Sequence, residues 1–155
     1  MTNPARISGN FLSPQHYRDA FETERHNDYL SVRAFERRMG FEVERGRLET
    51  AAAVLACPVK VNLPNWQHGR VIYSTLRKYL AWAADQVSHM TLLDIGTAKG
   101  FSALCIQWAV TDSQMLAQIV SVDVIDPEAR VARNTVADFW TDNCSTLAED
   151  RKSVV

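Results

Sequence analysis

The feature that most constrains the fold is the stretch LLDIGTAKGFSAL, residues 92–104, where an apolar run passes through a glycine turn into a helix pattern. The run is short and apolar up to Asp94, which is typical of a buried parallel strand. Gly96 and Gly100 enclose the turn, and residues 101–110 are apolar nearly all round. A strand that leads through such a turn into a buried helix predicts an α/β fold.

A second strand and a second helix follow this junction. The segment QIVSVDV, residues 118–124, has a strand-like composition, and DPEARVARNTVADFW, residues 126–140, begins with Asp126 at the N-cap and Pro127 at the first helical position. The apolar residues of this helix fall on one side: Val131, Ala132, Val136, Phe139 and Trp140. The order of these segments predicts the start of an open parallel α/β sheet.

The part of the chain before this junction is predicted to be helical. Residues 13–38 read as one surface helix, and residues 43–57 read as a second helix that Pro58 ends. After an ordered loop, a third helix is predicted over residues 68–86. Its apolar face is expected to contain Val71, Ile72, Leu76, Tyr79, Leu80 and Ala83. We therefore expect a helical N-terminal extension, residues 1–58, followed by the first half of an α/β domain, residues 59–155.

Charge and composition argue against several classes of partner. The 17 Lys and Arg residues nearly balance the 18 Asp and Glu residues, and the net charge of -1 gives no long-range attraction to nucleic acid or anionic lipid. Arg33 and Arg37 are interleaved with Glu36, which indicates a solvated helix surface. No apolar run approaches the roughly 18 residues of a membrane span, and the cysteines lack zinc-site spacing. We expect a cytoplasmic protein that binds no metal, nucleic acid or membrane.

The glycine turn has the chemistry of a ligand-binding site. A helix N-terminus exposes unpaired N–H groups, and glycine lets the backbone approach a ligand closely. Ligands of open α/β sheets lie beyond the carboxyl ends of the strands, where Asp94, Gly96 and Gly100 are predicted to lie. Asp123 ends the second strand, and a carboxylate about 20 residues beyond a glycine turn is placed to accept the hydroxyls of a ribose. A ligand that contains ribose is predicted.

Two adenosine-containing ligands compete for this geometry. A dinucleotide turn needs the pattern GxGxxG, whereas this turn reads GTAKG, and Asp94 would repel a pyrophosphate. S-adenosylmethionine has an ammonium group and a ribose but no phosphate, so the electrostatics favour it. An NAD(P)-dependent oxidoreductase is the alternative enzyme. A non-enzymatic partial domain that pairs with another chain is the third interpretation.

The stretches LLDIGTAKGFSAL and IVSVDVIDPEARVARN resemble motifs I and II of the class I S-adenosylmethionine-dependent methyltransferases, particularly the small-molecule O-methyltransferase-like branch. The segment VNLPNWQHGRVIYSTLRKYLAWAAD resembles the part that precedes motif I in that branch. The resemblance covers about residues 59–140. It implies a Rossmann-like fold, S-adenosyl-L-methionine as cofactor, and methyl transfer to an oxygen or nitrogen atom of a small molecule.

The resemblance also implies roles for individual residues. The residues expected at the methionine side of the cofactor are Asp94, Gly96, Thr97, Ala98, Gly100 and Ser102, with Ser102 near the carboxylate. Asp123 would bind the ribose, and Val124 would pack near the adenine. Ala98 replaces the middle glycine of the family's commonest turn, and its small side chain is expected to fit. His68, where the ordered loop meets the third helix, is the candidate substrate contact, and no catalytic base is assigned.

The resemblance further implies an incomplete sheet. The family's domain has seven strands, whereas this sequence contains two clear ones and the beginning of a third at KSVV, residues 152–155. We therefore expect a Rossmann-like domain truncated after the second or third strand. Such a sheet exposes a strand edge and apolar helix faces, so we expect a homo-oligomer formed through that edge.

Overall fold

The computed structural model of the chain describes residues 19, 21–55, 66–96 and 100–122. The elements in these ranges are α1 Leu30–Met39, α2 Arg45–Leu55, α3 Gln67–Ala83, β1 Met90–Ile95, α4 Phe101–Ser113 and β2 Ala117–Val122. A short helical segment at residues 21–24 precedes α1. The architecture is mixed α/β, as predicted. The predicted boundary between residues 58 and 59 lies outside the described residues.

The two strands are parallel neighbours in a small sheet. Met90 lies opposite Ala117, and Ile95 lies opposite Val122. Parallel strands need a crossover connection, and α4 supplies it. The predicted order of strand, turn, helix and strand is therefore confirmed over the described residues. The helix predicted over residues 101–110 continues for about one further turn, to Ser113.

The two faces of this sheet differ in burial. Successive side chains of a strand point to opposite faces, so Asp94 shares one face with Ile119, and each is only 7% exposed. The opposite face, called here the outer face, consists of Thr91, Leu93 and Ile95 of β1 with Gln118, Val120 and Val122 of β2. Leu93 and Ile95 are 59% and 76% exposed. The described part of the chain leaves the outer face uncovered.

Helix α4 is apolar on nearly all sides because it is enclosed on nearly all sides. It contacts β2, and it also packs against α3 and α2. Leu104, Cys105 and Ala109 are completely buried. Burial raises the pKa of the Cys105 thiol to about 12, so this thiol is neutral and unreactive near neutral pH. None of the helices in the described ranges is long and apolar enough to cross a membrane.

The single helix predicted over residues 13–38 is wrong, because the chain turns between residues 25 and 29. The side-chain oxygen of Asn27 accepts a hydrogen bond from the backbone N–H of Tyr29 at 3.2 Å. Tyr29 has a left-handed backbone, with φ of 44°. A short side chain that bonds the nearby backbone competes with helix formation, so α1 begins only at Leu30. Residues 13–18 lie outside the described residues.

Glu36 is buried, so the prediction that it belongs to a solvated surface is wrong. Helix α1 packs against α3, and Glu36 and Arg70 are 2% and 3% exposed. The Nε atom of Arg70 donates to Glu36 at 2.8 Å, and Nη2 donates to the other carboxylate oxygen. These hydrogen bonds raise the pKa of Arg70. Arg70 also donates to the backbone carbonyl of Asp28 at 3.2 Å, which joins the turn before α1 to α3.

The buried face of α3 is rotated from the predicted one. Leu80 and Ala83 are buried as expected, but Val71 and Tyr79 are 36% and 47% exposed. Helix α3 packs against α1 as well as α4, so polar residues are buried too. Ser74 is completely buried, and its hydroxyl donates to the carbonyl of Arg70. Hydrophobic periodicity alone does not reveal such a polar interface.

Candidate ligand-binding site

The candidate site lies at the carboxyl end of β1. Gly96 follows the strand with φ of 79°, a left-handed conformation that favours glycine. Its N–H donates to the carbonyl of Val122 at 2.7 Å. This bond holds the turn after β1 against the end of β2. The carboxyl ends of β1 and β2 therefore meet at this point.

Asp94 is the charged residue at this edge of the sheet. It lies on the inner face, 7% exposed, and its Oδ2 atom finds no hydrogen-bond donor among the described residues. Burying a carboxylate oxygen without a partner costs free energy. Asp94 is therefore suited to accept a hydrogen bond from a cationic or N–H-bearing group of a ligand.

The N-terminus of α4 lies across the turn from Asp94. Gly100 is buried, has φ of 89° and immediately precedes Phe101, the first residue of the helix. No described side chain caps this end, and the first turn contains no acidic residue. The first N–H groups of a helix have no acceptor within the helix, and its dipole favours an anion there. Ser102, partly buried, is the second residue of this turn.

The first turn of α3 reaches the same place. The rings of His68 and Phe101 meet edge to face, with centroids 5.0 Å apart and an angle of 72° between the planes. His68 therefore lies in the first turn of α3, close to the predicted start of that helix, and not in the loop before it. The adjacent Gly69 faces both Phe101 and Cys105. The end of β1 and the first turns of α3 and α4 thus converge.

Gly69 is a site-forming residue that the sequence reasoning missed. Its contact with the first turn of α4 sets the position of α3 beside the candidate site. An isolated glycine inside an apolar helical pattern was the available signal, because such a glycine often marks close packing. The sequence does not say which helix it meets.

Four of the predicted cofactor residues lie outside the described residues: Thr97, Ala98, Asp123 and Val124. The roles of these four residues stay predictions. Asp94 and Gly96 lie at the end of β1, Gly100 and Ser102 lie at the start of α4, and His68 contacts Phe101 of α4.

This arrangement can bind a zwitterion. A cationic group can pair with the free oxygen of Asp94, while an anionic group can accept hydrogen bonds from the first turn of α4. Gly96 and Gly100 place no side chain of their own at the two ends of this turn. Within the described ranges, no three His, Cys, Asp or Glu residues are grouped closely enough to hold a metal ion.

A second concavity lies between α1 and α2. It is a cleft of about 240 Å³ with charged walls, lined by Asp28, Arg33, Glu36, Glu42, Val43, Arg45, Leu48 and Arg70. Its arginines already have carboxylate partners, since Arg33 pairs with Asp28 at 2.7 Å and Arg70 pairs with Glu36. Two of the arginines that line it thus have their charges matched by carboxylates of the same cleft, unlike Asp94.

Comparison of the chain with protein-family models, with curated proteins and with solved structures finds no match in any of the three.

Proposed function

We propose that this chain is an S-adenosylmethionine-dependent methyltransferase of class I that acts on an oxygen or nitrogen atom of a small molecule. The observation that carries the proposal is the buried, unpartnered Oδ2 atom of Asp94 at the carboxyl end of β1. The resemblance of residues 59–140 to motifs I and II of that family supports it independently of this atom.

The amino-acid end of S-adenosylmethionine matches the two charge preferences of the site. Its ammonium group can donate to Asp94, and its carboxylate can accept from the uncapped first turn of α4 near Ser102. Gly96 and Gly100 have the left-handed backbone that lets the turn pass close to a ligand. One zwitterionic group thus supplies the partners that both ends of the site need.

The remaining parts of the cofactor would lie toward β2. The bond from Gly96 to Val122 holds the end of β2 against the turn, and Asp123 follows directly. Asp123 would accept hydrogen bonds from the ribose hydroxyls, and Val124 would pack against the adenine. The parallel unit β1–α4–β2 is compatible with the first part of a Rossmann-like fold, which we infer for the domain.

The charge at Asp94 also argues against a dinucleotide ligand. A pyrophosphate at the glycine turn would bring its negative charges close to the buried carboxylate of Asp94. Like charges repel strongly when they lie close together away from water. The single ammonium group of S-adenosylmethionine attracts the same carboxylate. An NAD(P)-dependent oxidoreductase is therefore the less favoured enzyme.

The bound cofactor would supply an activated methyl group, and the residues of this chain would orient it and exclude water from it. His68 lies beside Phe101, at the edge of the site that α3 contributes. We assign it the role of a substrate contact on that side. No described residue is assigned as the catalytic base.

The test is isothermal titration calorimetry with S-adenosylhomocysteine, which keeps the amino-acid and adenosine parts of the cofactor. We expect binding to the 155-residue chain and a loss of roughly 10- to 100-fold in affinity for Asp94→Asn, because a charge-assisted hydrogen bond contributes about 1.5–3 kcal/mol. Asp85→Asn, at an exposed position after α3, is the control and should leave affinity unchanged.

Two results would overturn the proposal. One is the absence of binding by a folded wild-type chain. The other is equal affinity of the wild type and Asp94→Asn. Binding of NADH in place of S-adenosylhomocysteine would favour the oxidoreductase instead.

A further inference from the structure

Helix α3 carries two large aromatic side chains on its solvent-exposed side. Tyr79 and Trp82 are 47% and 60% exposed, and their rings contact each other with centroids 5.5 Å apart. Val71, nearer the start of the helix, is 36% exposed on the same side. Tryptophan and tyrosine contribute more binding energy to protein interfaces than most other residues. The exposed side of α3 is therefore a candidate interaction surface.

The exposed residues on this side form a stripe with the spacing of a coiled coil. They follow one another at alternating steps of four and three residues, which keeps them on one side of a helix. The helical hydrogen bonds continue past the last residue of α3, since the N–H of Val87 donates to the carbonyl of Ala83 at 3.0 Å. The exposed members, called here the α3 stripe, are Val71, Thr75, Lys78, Trp82 and Asp85. A stripe with this spacing fits a second helix that lies alongside.

The α3 stripe places opposite charges on either side of its central aromatic residue. Lys78 precedes Trp82 by one turn of the helix, and Asp85 follows it by nearly one turn. Both charged residues are exposed, and neither forms a salt bridge within the described part of the chain. The stripe therefore presents a positive charge, an indole ring and a negative charge in that order.

A second copy of the chain complements this order when it runs in the opposite direction. In an antiparallel pair of α3 helices with a two-fold axis near Ala81, Lys78 of each copy lies beside Trp82 and Asp85 of the other. Its ammonium group can contact both the indole ring and the carboxylate. Ala81 and Ala84 are exposed and small, so they leave room for the indole ring of the other copy. A parallel pair would place each charge opposite its own kind, and this repulsion disfavours it.

The area of the α3 stripe corresponds to a weak dimer. At roughly 150–250 Å² for a whole aromatic side chain, the exposed fractions of Tyr79 and Trp82 with their neighbours amount to roughly 400 Å². A standard interface buries about 800 Å² on each partner. We therefore expect a dissociation constant on the order of 10–100 μM, which is typical of a reversible dimer and not of a permanent one.

We propose that the chain forms a homodimer in which two α3 helices pack antiparallel through the α3 stripe. The buried side of α3 packs on α1 and α4, so this dimer leaves the core as it is. Trp82 lies about 20 Å along the helix from His68, so the candidate ligand site stays accessible. The interface differs from the sheet edge at which the sequence predicts self-association. The proposal goes beyond the methyltransferase function and does not depend on it.

Sedimentation velocity of the full chain, at protein concentrations below and above the expected dissociation constant, tests the proposal. We expect the dimer fraction of the wild type to rise with concentration. Trp82→Ala should weaken dimerisation by at least roughly 10-fold, because it removes the central aromatic residue of the interface. Leu30→Ala is the matched control and should leave dimerisation unchanged, since Leu30 is 76% exposed but lies on α1. A wild type that stays monomeric, or a Trp82→Ala chain that dimerises as the wild type does, would overturn the proposal.

A charge swap tests the antiparallel geometry. Lys78→Glu places like charges together at two symmetric contacts and should weaken dimerisation roughly 10-fold. Combining it with Asp85→Lys restores opposite charges and should recover most of the lost affinity. Arg37→Glu, a charge reversal at an exposed position of α1, is the control and should have little effect. If the combined variant dimerised no better than Lys78→Glu alone, the antiparallel pairing would be wrong. Circular dichroism checks that each variant is folded, as expected for substitutions at exposed positions.

Discussion

Gly69 of α3 lies so close to Cys105 of α4 that a Cβ atom built on it would be 2.7 Å from the Cys105 sulfur. The same Cβ atom would lie 2.7 Å from the ring of Phe101, the first residue of α4. Both neighbours belong to the buried core, where side chains have little room to shift. The missing side chain at Gly69 therefore sets how near the two helices approach beside Asp94.

Gly69→Ala is expected to destabilise the fold by about 1–3 kcal/mol, because the added methyl group overpacks a buried contact. The gain in helix propensity from glycine to alanine, about 1 kcal/mol, is included in this net loss. Urea unfolding followed by tryptophan fluorescence measures it. Cys105→Ala in the same chain should restore part of the loss, since it removes the clashing sulfur and leaves only the clash with the Phe101 ring.

Gly46→Ala in α2 is the matched control for this variant. Its added methyl group would meet only the Glu44 carboxylate, 3.1 Å away on an exposed side chain. The Glu44 carboxylate accepts hydrogen bonds from the N–H groups of Gly46 and Arg47 at 2.7 and 2.6 Å, but it is exposed and needs to shift by only a few tenths of an ångström, so we expect a change within about 1 kcal/mol. If Gly69→Ala were as stable as Gly46→Ala, the close packing of α3 on α4 would be contradicted.

Breaking the buried pair of Glu36 and Arg70 is expected to cost much more than breaking an exposed pair. Arg70→Met leaves the Glu36 carboxylate buried without its partner, and we expect a loss of about 3–5 kcal/mol in the free energy of unfolding. The combined variant Glu36→Leu with Arg70→Met should recover most of that loss, because it removes both charges. Denaturant unfolding at pH 7 measures all three chains.

The control is the exposed ion pair of Arg33, which lies on α1 like Glu36. Arg33 pairs with Asp28 at 2.7 Å, but the two side chains are 48% and 43% exposed. Exposed pairs contribute about 0–1 kcal/mol, so Arg33→Met should be nearly neutral. If Arg33→Met and Arg70→Met lowered the free energy of unfolding by similar amounts, burial would not be the reason that the pair of Glu36 and Arg70 matters for stability.

The contact between α2, α3 and α4 is expected to weaken in acid. Arg47 contacts Asp112 through two nitrogens, at 2.5 and 3.3 Å, and the Tyr73 hydroxyl donates to the same carboxylate at 2.7 Å. Burial opposes ionisation of Asp112, but the hydrogen bonds from Arg47 and Tyr73 outweigh it and hold its pKa below the usual value. The ionised carboxylate therefore stabilises the folded state.

Because the folded pKa of Asp112 is lowered, its contribution is present above the unfolded pKa of about 3.9 and is lost as the pH falls through the folded value. We expect Asp112→Asn to be about 1 kcal/mol less stable than the wild type at pH 7. This difference should narrow as the pH falls below about 4. Urea unfolding across that pH range measures it, and a difference that stays constant in acid would contradict the assignment.

Local patterns in the sequence predicted the elements that form the candidate site. The apolar run before Asp94 and the glycines at 96 and 100 specify a strand, a turn and a helix start by chemistry that acts within a few residues. For that reason β1, α4 and the parallel β2 were predicted in the right order. Asp123 lies outside the described residues, so its contribution stays a prediction.

The remaining features depend on contacts between distant segments. Glu36 reads as a surface residue until α1 packs on α3 and Arg70 meets it, 34 positions further along the chain. The break before Leu30 was readable, because Asn27 is a turn-forming residue, but the apolar spacing on either side suggested one helix. Tyr79 shows the opposite error: its helical spacing predicted a buried position, but its side chain is 47% exposed.

Asp94→Asn is expected to change stability and ligand binding in opposite directions. The wild-type chain buries a charged oxygen that has no donor among the described residues, and the neutral amide reduces this cost. We therefore expect Asp94→Asn to raise the Tm of the ligand-free chain by several degrees and to reduce the further rise that S-adenosylhomocysteine causes. Thermal unfolding of both chains, with and without the ligand, measures the two effects together. A lower Tm of the ligand-free variant would mean that the carboxylate holds the turn itself, and Asp94 would then be structural.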